Sequence, residues 1–219
     1  MMWSEQTVQM IGIGVLETLY MTGLSTLFGY VLGLPFGIIL AVTDKNGICP
    51  NRFIYRVLDV IANVLRSIPF LILLILLIPF TRIIVGQSYG SSATVVPLVI
   101  AAAPFIARMI ESSIKEVDTG VVEAAKSMGA SNFTIITKVL LVEARTSIAV
   151  GVTIAIGTIL GYSAMAGTVG GGGLGDIAVR YGYYRYEEDI MIVTVILLIV
   201  LVQVFQIIGM RLANVINHK

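Results

Sequence analysis

The sequence has little of the chemistry that metal sites, disulfides and soluble surfaces require. It contains one cysteine, Cys49, and one histidine, His218, so an internal disulfide is impossible and no metal site is expected. Charged residues make up 12% of the chain, about half of the ~25% found in soluble domains. The net charge of +1 gives no indication of a nucleic-acid partner. The first ten residues contain no Lys or Arg, so we expect no cleaved signal peptide.

Hydrophobic sequence dominates what is present, with 57% hydrophobic residues and a mean hydropathy of +0.96. A helix needs ~20 mostly apolar residues to cross a bilayer. Five stretches meet this requirement and predict spans near residues 18–42, 57–80, 93–110, 147–169 and 190–210. The sequence therefore predicts an all-α polytopic membrane protein, with residues 1–219 forming a single transmembrane domain.

The Lys and Arg residues predict how the chain is oriented in the membrane. With five spans, ten of the 14 lie on one side, three (Arg82, Arg180 and Arg185) lie on the other, and Arg66 falls inside the second span. Cytoplasmic loops carry the excess of Lys and Arg. We therefore expect the N-terminus outside, the C-terminus in the cytoplasm and residues 111–146 on the cytoplasmic side.

Two series of glycines indicate where helices approach each other. Gly29, Gly33 and Gly37 repeat every four residues in the first span, and Gly157 and Gly161 do so in the fourth. Helices in lipid associate where small residues allow their backbones to come close. Both series therefore predict helix contacts.

A polar segment interrupts the hydrophobic sequence between the third and fourth spans. Asp118 or Thr119 can N-cap a first helix, Gly129 suits the left-handed position after its end, and Ser131 can N-cap a second helix reaching about Leu141. Such short helices are marginal alone in water, so we expect them to dock on a separate protein. The apolar side chains expected to share one side are Val121, Val122, Ala125 and Met128 in the first helix, and Phe133, Ile136, Val139 and Leu140 in the second.

This segment also carries a resemblance to a known family. The stretch "EAAKSMGASNFTIITKVLL", residues 123–141, is similar to the EAA motif of ABC-importer permeases. In that family a proline follows the last leucine of the motif, whereas this chain has Val142, which leaves open where the second helix ends. The resemblance implies that residues 119–141 couple the permease to a cytoplasmic ATPase. The matching residues are Glu123, Ala124, Ala125, Gly129, Val139 and Leu141.

The resemblance extends along most of the chain. "ETLYMTGLSTLFGYVLGLPFG", "APFIARMIE" and "GYSAMAGTVGGGGLGDIAVRYGY" are similar to the methionine-importer branch of these permeases. The resemblance implies a type I ABC importer permease in the bacterial cytoplasmic (inner) membrane, with five transmembrane helices and a cytoplasmic coupling-helix pair. Its partners would be a second permease copy, two ABC ATPase subunits and an external substrate-binding lipoprotein. This chain would catalyse no reaction and bind no cofactor, since ATP and Mg belong to the ATPase.

Polar residues inside the spans are candidates for the transport path. Asp59, Asn63 and Arg66 are spaced to share one helix face, either as a structural cluster or as a polar wall of the path. "GYSAMAG" in the fourth span offers small, aromatic and thioether groups that suit weak passage of an apolar amino acid. The candidate path residues are Asn63, Arg66, Tyr162, Ser163 and Met165.

Two alternatives remain open at this point. A permease for another amino acid or a small peptide would share every feature above. "GLGD", residues 173–176, also matches intramembrane aspartyl proteases, which need a second aspartate close by, and Asp59 is the only aspartate within a predicted span. The glycines of residues 170–175 otherwise predict a flexible outer loop.

Overall fold

The structure is a computed structural model that describes residues 5–216, so predictions involving residues 1–4, His218 or Lys219 lie outside it. All regular elements within that range are helical. The α-helices are α1 (Glu5–Thr43), α2 (Arg52–Ser67), α3 (Phe70–Leu76), α4 (Ile78–Val85), α5 (Ser91–Lys115), α6 (Thr119–Ser127), α7 (Asn132–Thr134), α8 (Leu141–Glu143), α9 (Arg145–Ala166), α10 (Gly173–Ile177) and α11 (Glu188–Ile216). Two π-helical segments, Ile135–Leu140 and Ala178–Tyr183, and a 3₁₀ turn, Gly167–Val169, complete the order.

Helix α1 is the longest element and extends well beyond a bilayer core. Its 39 residues correspond to about 58 Å at 1.5 Å per residue, against a core of ~30 Å. The span predicted near residues 18–42 is its C-terminal part, and the helix continues over residues 5–17. Pro35 lies inside α1 without ending it, as membrane helices allow.

Helix α1 packs against α5 through the first glycine series. A Cβ atom at Gly33 would lie 2.8 Å from the Ala103 carbonyl oxygen, and one at Gly37 would lie 2.5 Å from the Ala107 carbonyl oxygen. Neither distance leaves room for a side chain, so the two backbones touch only because these positions are glycine. A Cβ atom at Gly29 would meet side-chain atoms of α5, among them the end of Ile106 at 2.9 Å. The contact predicted for Gly29, Gly33 and Gly37 is therefore confirmed.

The second glycine series behaves differently. A Cβ atom at Gly161 would meet no atom within 4 Å, and one at Gly157 would meet only the Gln206 amide, at 4.0 Å. Within residues 5–216 these glycines therefore serve no close helix contact, and the prediction from their spacing is wrong for the single chain.

The span predicted near residues 57–80 is not one helix. Helix α2 ends because Ile68 precedes Pro69 and therefore adopts an extended backbone (φ −81°, ψ 123°). The axes of α2 and α3 differ by 101°. Helix α3 is separated from α4 at Leu77, and Gly86 (φ +81°) ends α4 in the left-handed conformation.

Four helical segments of the described chain are long and apolar enough to cross a membrane. They are α1, α5, the segment Arg145–Tyr183 and α11, and the bent pair of α2 and α3 raises the number to as many as five. The spans predicted near residues 93–110, 147–169 and 190–210 lie within three of these segments. The predicted five spans are thus reached only if the bent pair counts as one crossing.

The glycine-rich stretch near residues 170–175 is packed, which corrects the prediction of a flexible loop. The Gly173 N–H donates a hydrogen bond to the Glu17 carboxylate (2.7 Å), and the Leu174 N–H donates to the Thr18 hydroxyl (2.9 Å). Leu174 is fully buried. Side chains of α1 therefore satisfy the free N–H groups at the start of α10 and hold this stretch against α1.

We expect Gly33→Ala to destabilise the chain by about 1–3 kcal/mol, because the added methyl group would overlap backbone atoms of α5 that cannot move aside. Gly23→Ala is the matched control, since a Cβ atom there meets nothing within 4 Å and the gain in helix propensity is the same. Thermal unfolding of the two purified variants in detergent measures the difference. Equal melting temperatures would contradict the role assigned to the glycine contact.

Candidate functional site

The first half of the segment 119–141 is a helix with well-defined ends. The Asp118 carboxylate caps α6 by accepting a hydrogen bond from the backbone N–H two residues on (2.7 Å). At the other end Gly129 has φ +78°, its N–H donates to the Lys126 carbonyl, and the Ala130 N–H donates to the Ala125 carbonyl. These two bonds form the Schellman arrangement that commonly ends a helix at glycine. The predicted cap and bend are both observed.

The second half runs on into the membrane helix that follows. The Ser131 hydroxyl caps α7 by accepting a hydrogen bond from the Thr134 N–H (3.2 Å). A π-helical turn over Ile135–Leu140 and the short α8 then lead to α9, with Ala144 as the single turn residue between them. Val142, which has an N–H where the family has proline, allows this continuity.

The apolar side chains of this segment divide between an inner and an outer side. Ala125, Ile135 and Leu140 are buried in the main hydrophobic cluster of the chain. Met128 and Phe133 are 80% and 75% exposed, so the prediction that they share the side of the buried residues is wrong. The bend therefore presents a flexible thioether and an aromatic ring to the surface, where exposed apolar groups are typical of a docking site.

The motif residues follow the same division. The linker between α1 and α2 packs beside them. Glu123 lines a cavity of about 340 Å³ between α6 and the linker residues Asp44 and 46–48, and the Asn132 amide contacts the Cys49 sulfur at 3.0 Å. Of the six motif residues, Glu123, Ala124 and Gly129 are exposed, Val139 and Leu141 are half-buried, and Ala125 is buried.

Next to this segment, a network of charges joins α2 to α5. The Arg108 guanidinium pairs with the Asp59 carboxylate and donates hydrogen bonds to the Asn63 side-chain oxygen (3.0 Å) and the Glu111 carboxylate (2.7 Å). Glu111 is only 4% exposed, so its charge depends on these partners. The network fixes the polar face of α2 against α5.

The same network reaches the end of α1. The Lys115 ammonium lies 2.7 Å from the Glu111 carboxylate and 2.9 Å from the Asp44 carboxylate, and the Tyr55 hydroxyl donates to Glu111 (3.2 Å). Lys115 lowers the pKa of Asp44, chiefly by donating a hydrogen bond to the carboxylate. Because the folded-state pKa is depressed, this stabilisation is present above the unfolded-state pKa and is lost as the pH falls through the folded-state value.

Arg108 was missed as a site residue because it was assigned to the cytoplasmic linker. The predicted polar face contained Asp59, Asn63 and Arg66, and the structure confirms that the first two lie together. Arg66 is exposed and makes no ion pair or hydrogen bond with any residue of the described range. The spacing of Arg108, Glu111 and Lys115, which places them on one helix face, could have indicated this charge network from the sequence.

The five candidate path residues lie in different environments. The Tyr162 ring stacks on Phe70 with centroids 4.6 Å apart, and the Ser163 hydroxyl is buried and donates to the carbonyl of residue 160. Ser163 therefore cannot line an open path in this structure. Met165 and Arg66 are exposed, and Asn63 is held by the charge network.

The two aspartates required by a protease lie at different levels. Asp59 pairs with Arg108, near the level of Gly37 in α1, whereas Asp176 pairs with Arg180 (2.8 Å), near the level of Gly14. These levels are about 34 Å apart along α1 at 1.5 Å per residue, so the aspartates cannot share a proton. No cluster of three or more metal-ligating side chains occurs within residues 5–216.

Known proteins are similar to this chain in sequence. Residues 33–219 match the family described as binding-protein-dependent transport system inner membrane component. A Vibrio cholerae protein named probable D-methionine transport system permease protein MetI is 52% identical over 203 residues, which are 93% of this chain and 90% of the relative. The Escherichia coli D-methionine transport system permease protein MetI is 49% identical over 164 residues, covering 75% of this chain and 76% of the relative.

Solved structures agree with these relatives. A chain in an inward-facing conformation of the MetNI methionine ABC transporter superposes with a TM-score of 0.97 at 46% identity, covering 99% of this chain and all of that chain. A chain of an amino acid ABC transporter solved with histidines has a TM-score of 0.79 at 22% identity, covering 95% of each chain, which supports the fold alone. The chain therefore belongs to the family of inner-membrane components of binding-protein-dependent transport systems.

Proposed function

We propose that this chain is the permease subunit of an ATP-driven importer of methionine. The observation that carries the proposal is the likeness to the methionine transporter chain, which combines a TM-score of 0.97 with 46% identity over 99% of this chain. In this role the chain moves its substrate across the membrane and forms or breaks no bond. The hydrolysis of ATP, together with its Mg, belongs to a partner subunit.

In the assembly two copies of this chain enclose the path, two ABC ATPase subunits lie in the cytoplasm, and a substrate-binding lipoprotein docks outside. The unpartnered surface of α9 at Gly157 and Gly161 is consistent with a neighbour that a single chain lacks. The outer partner would dock near residues 170–184 and the linker after α4. Exposed tyrosines at this end, Tyr89 and Tyr184 among them, are typical of protein interfaces.

The segment 119–141 is the proposed contact with the ATPase. The exposed Met128 and Phe133 would dock on it, while the buried Ala125 and Ile135 hold the segment to the membrane helices. Three residues separate α5 from α6, and the second half continues into α9. A displacement of the docked segment would therefore move α5 and α9 at the same time. Different nucleotide states can drive the cycle only by binding the two conformations with different affinity.

The path itself is expected to hold its substrate weakly, since tight binding would prevent release.

We place the N-terminus outside and the C-terminus in the cytoplasm, because the charge network of Asp44, Arg108 and Lys115 and most other cations lie at one end of the helices. An importer of another amino acid or a small peptide would share this architecture.

Glu123→Lys and Gly129→Val are expected to uncouple ATP hydrolysis from uptake. The first reverses a charge at the docking surface, and the second places a β-branched residue at φ +78°. Glu143→Lys, at an exposed site outside the segment, is the control for the charge change. Substrate-stimulated ATPase activity and uptake by the reconstituted transporter should fall roughly tenfold, which corresponds to about 1.4 kcal/mol of coupling. Normal stimulation in both variants would refute the assignment.

Cys49 tests the orientation without any new cysteine, because it is the only one in the chain. A membrane-impermeant maleimide should label Cys49 in inverted vesicles and leave it unlabelled in intact cells. A Cys49→Ser, Tyr89→Cys variant should show the opposite pattern, because the exposed Tyr89 lies at the other end of the helices. Labelling of Cys49 from outside would overturn the proposed topology.

Uptake separates methionine from the alternatives. A strain lacking its own methionine importer should recover uptake of labelled L- or D-methionine when this chain and its two partner types are expressed. The Gly129→Val chain serves as the inactive control. A tenfold excess of unlabelled methionine should suppress this uptake. If another amino acid or a peptide suppresses it and unlabelled methionine does not, the chain is an importer of that other substrate.

A further inference from the structure

A basic groove lies where α1 connects to α2. We use this name for the groove of about 780 Å³ whose cationic residues are Lys45, Arg52 and Arg56. Arg52 and Arg56 are four residues apart on α2 and therefore project on the same side of the helix. A volume of this size is ample for a small polar headgroup.

The two acidic residues of the groove pair with cations outside it, in a network that also contains Glu111. Asp44 pairs with Lys115 at 2.9 Å, and Asp59 pairs with Arg108. The three groove cations make no ion pair within the described residues 5–216, and all three are exposed. Counting the whole network, five cations face three carboxylates, so the site offers a net charge of +2 to an anion.

An exposed apolar stripe begins beside these cations. Phe53 is 78% exposed, and Val57, Val60 and Val64 continue from it along the same side of α2. The stripe covers 11 residue steps, or about 16 Å at 1.5 Å per residue. One leaflet of a ~30 Å hydrocarbon core has nearly the same depth. Charge at one end and an apolar surface one leaflet long match the shape of a phospholipid.

The groove is separate from the proposed ATPase contact. Residues 46–48 of the linker face α6, and Cys49 contacts Asn132 of the second coupling helix. Lys45, Arg52 and Arg56 line the basic groove and not the cavity against α6, and Asp44 lies between the two because it lines both. A partner seated on the segment 119–141 would therefore leave the groove available to a ligand in the membrane.

We propose that the basic groove binds the headgroup of an anionic phospholipid. Arg52 and Arg56 donate hydrogen bonds to the phosphate, Lys45 adds charge, and an acyl chain lies along the stripe from Phe53 to Val64. Basic pockets between membrane helices recognise anionic headgroups in this way, and arginine suits the phosphate geometry. Such a lipid would hold the start of α2 at the membrane surface, next to the charge network that joins α1, α2 and α5.

The test is lipid retention by the purified permease–ATPase complex, measured by native mass spectrometry. The complex should retain phosphatidylglycerol in preference to phosphatidylcholine. Arg52→Gln with Arg56→Gln should weaken phosphatidylglycerol retention roughly tenfold or more. Arg82→Gln with Arg211→Gln is the matched control, since it removes the same charge at exposed arginines outside the groove and should change retention less than twofold.

Two further arms identify the source of the anion. Val57→Asn with Val64→Asn should weaken retention of long-chain phosphatidylglycerol and leave a dihexanoyl form unaffected, provided that the complex stays monodisperse. Millimolar glycerol 3-phosphate should fail to displace the lipid. Equal phosphatidylglycerol retention by the Arg52/Arg56 variant and its control would overturn the proposal. Displacement of the lipid by glycerol 3-phosphate, or equal retention of phosphatidylglycerol and phosphatidylcholine, would also overturn it. None of these outcomes depends on whether methionine is the substrate.

Discussion

The close approach of α1 and α5 is the constraint on which the rest of the structure depends. Lipid supplies no hydrophobic force between helices, so contact must come from backbones that fit together. Gly33 and Gly37 provide that fit, because a Cβ atom at either position would overlap backbone atoms of α5. Once the two helices are joined, α1 can bind the start of α10 through Glu17 and Thr18 at one end. Its other end meets α5 through the Asp44–Lys115 ion pair.

That ion pair belongs to a network that joins α1, α2 and α5 at one end of the helices. Arg108 and Glu111 bring α2 to the helix pair, and the segment 119–141 begins four residues beyond Lys115. This segment is attached by buried side chains on one side and exposes Met128 and Phe133 on the other. The proposed transmission of movement uses both attachments, since one half follows α5 and the other half continues into α9.

Local chemistry made several elements predictable from sequence. The left-handed glycine at position 129 and the caps at Asp118 and Ser131 were readable because each depends on a few neighbouring residues. The break between α2 and α3 at Pro69 was not predicted, because hydropathy records length and composition but not the 101° change of direction. The glycine stretch near residues 170–175 looked flexible because Glu17 and Thr18, which hold it, are more than 150 residues away in sequence.

The sequence by itself determined the membrane class, the helix-prone segments and the resemblance to ABC-importer permeases, because composition, periodicity and motif spacing are properties of the linear chain. Only the tertiary structure decided which polar residues meet. It joined Asp59 and Asn63 to Arg108 and left Arg66 without a partner in the described chain, and it buried Ser163 while exposing Met128. The physical reason is that burial and ion pairing depend on which helix lies opposite, and a single sequence does not specify its neighbours in space.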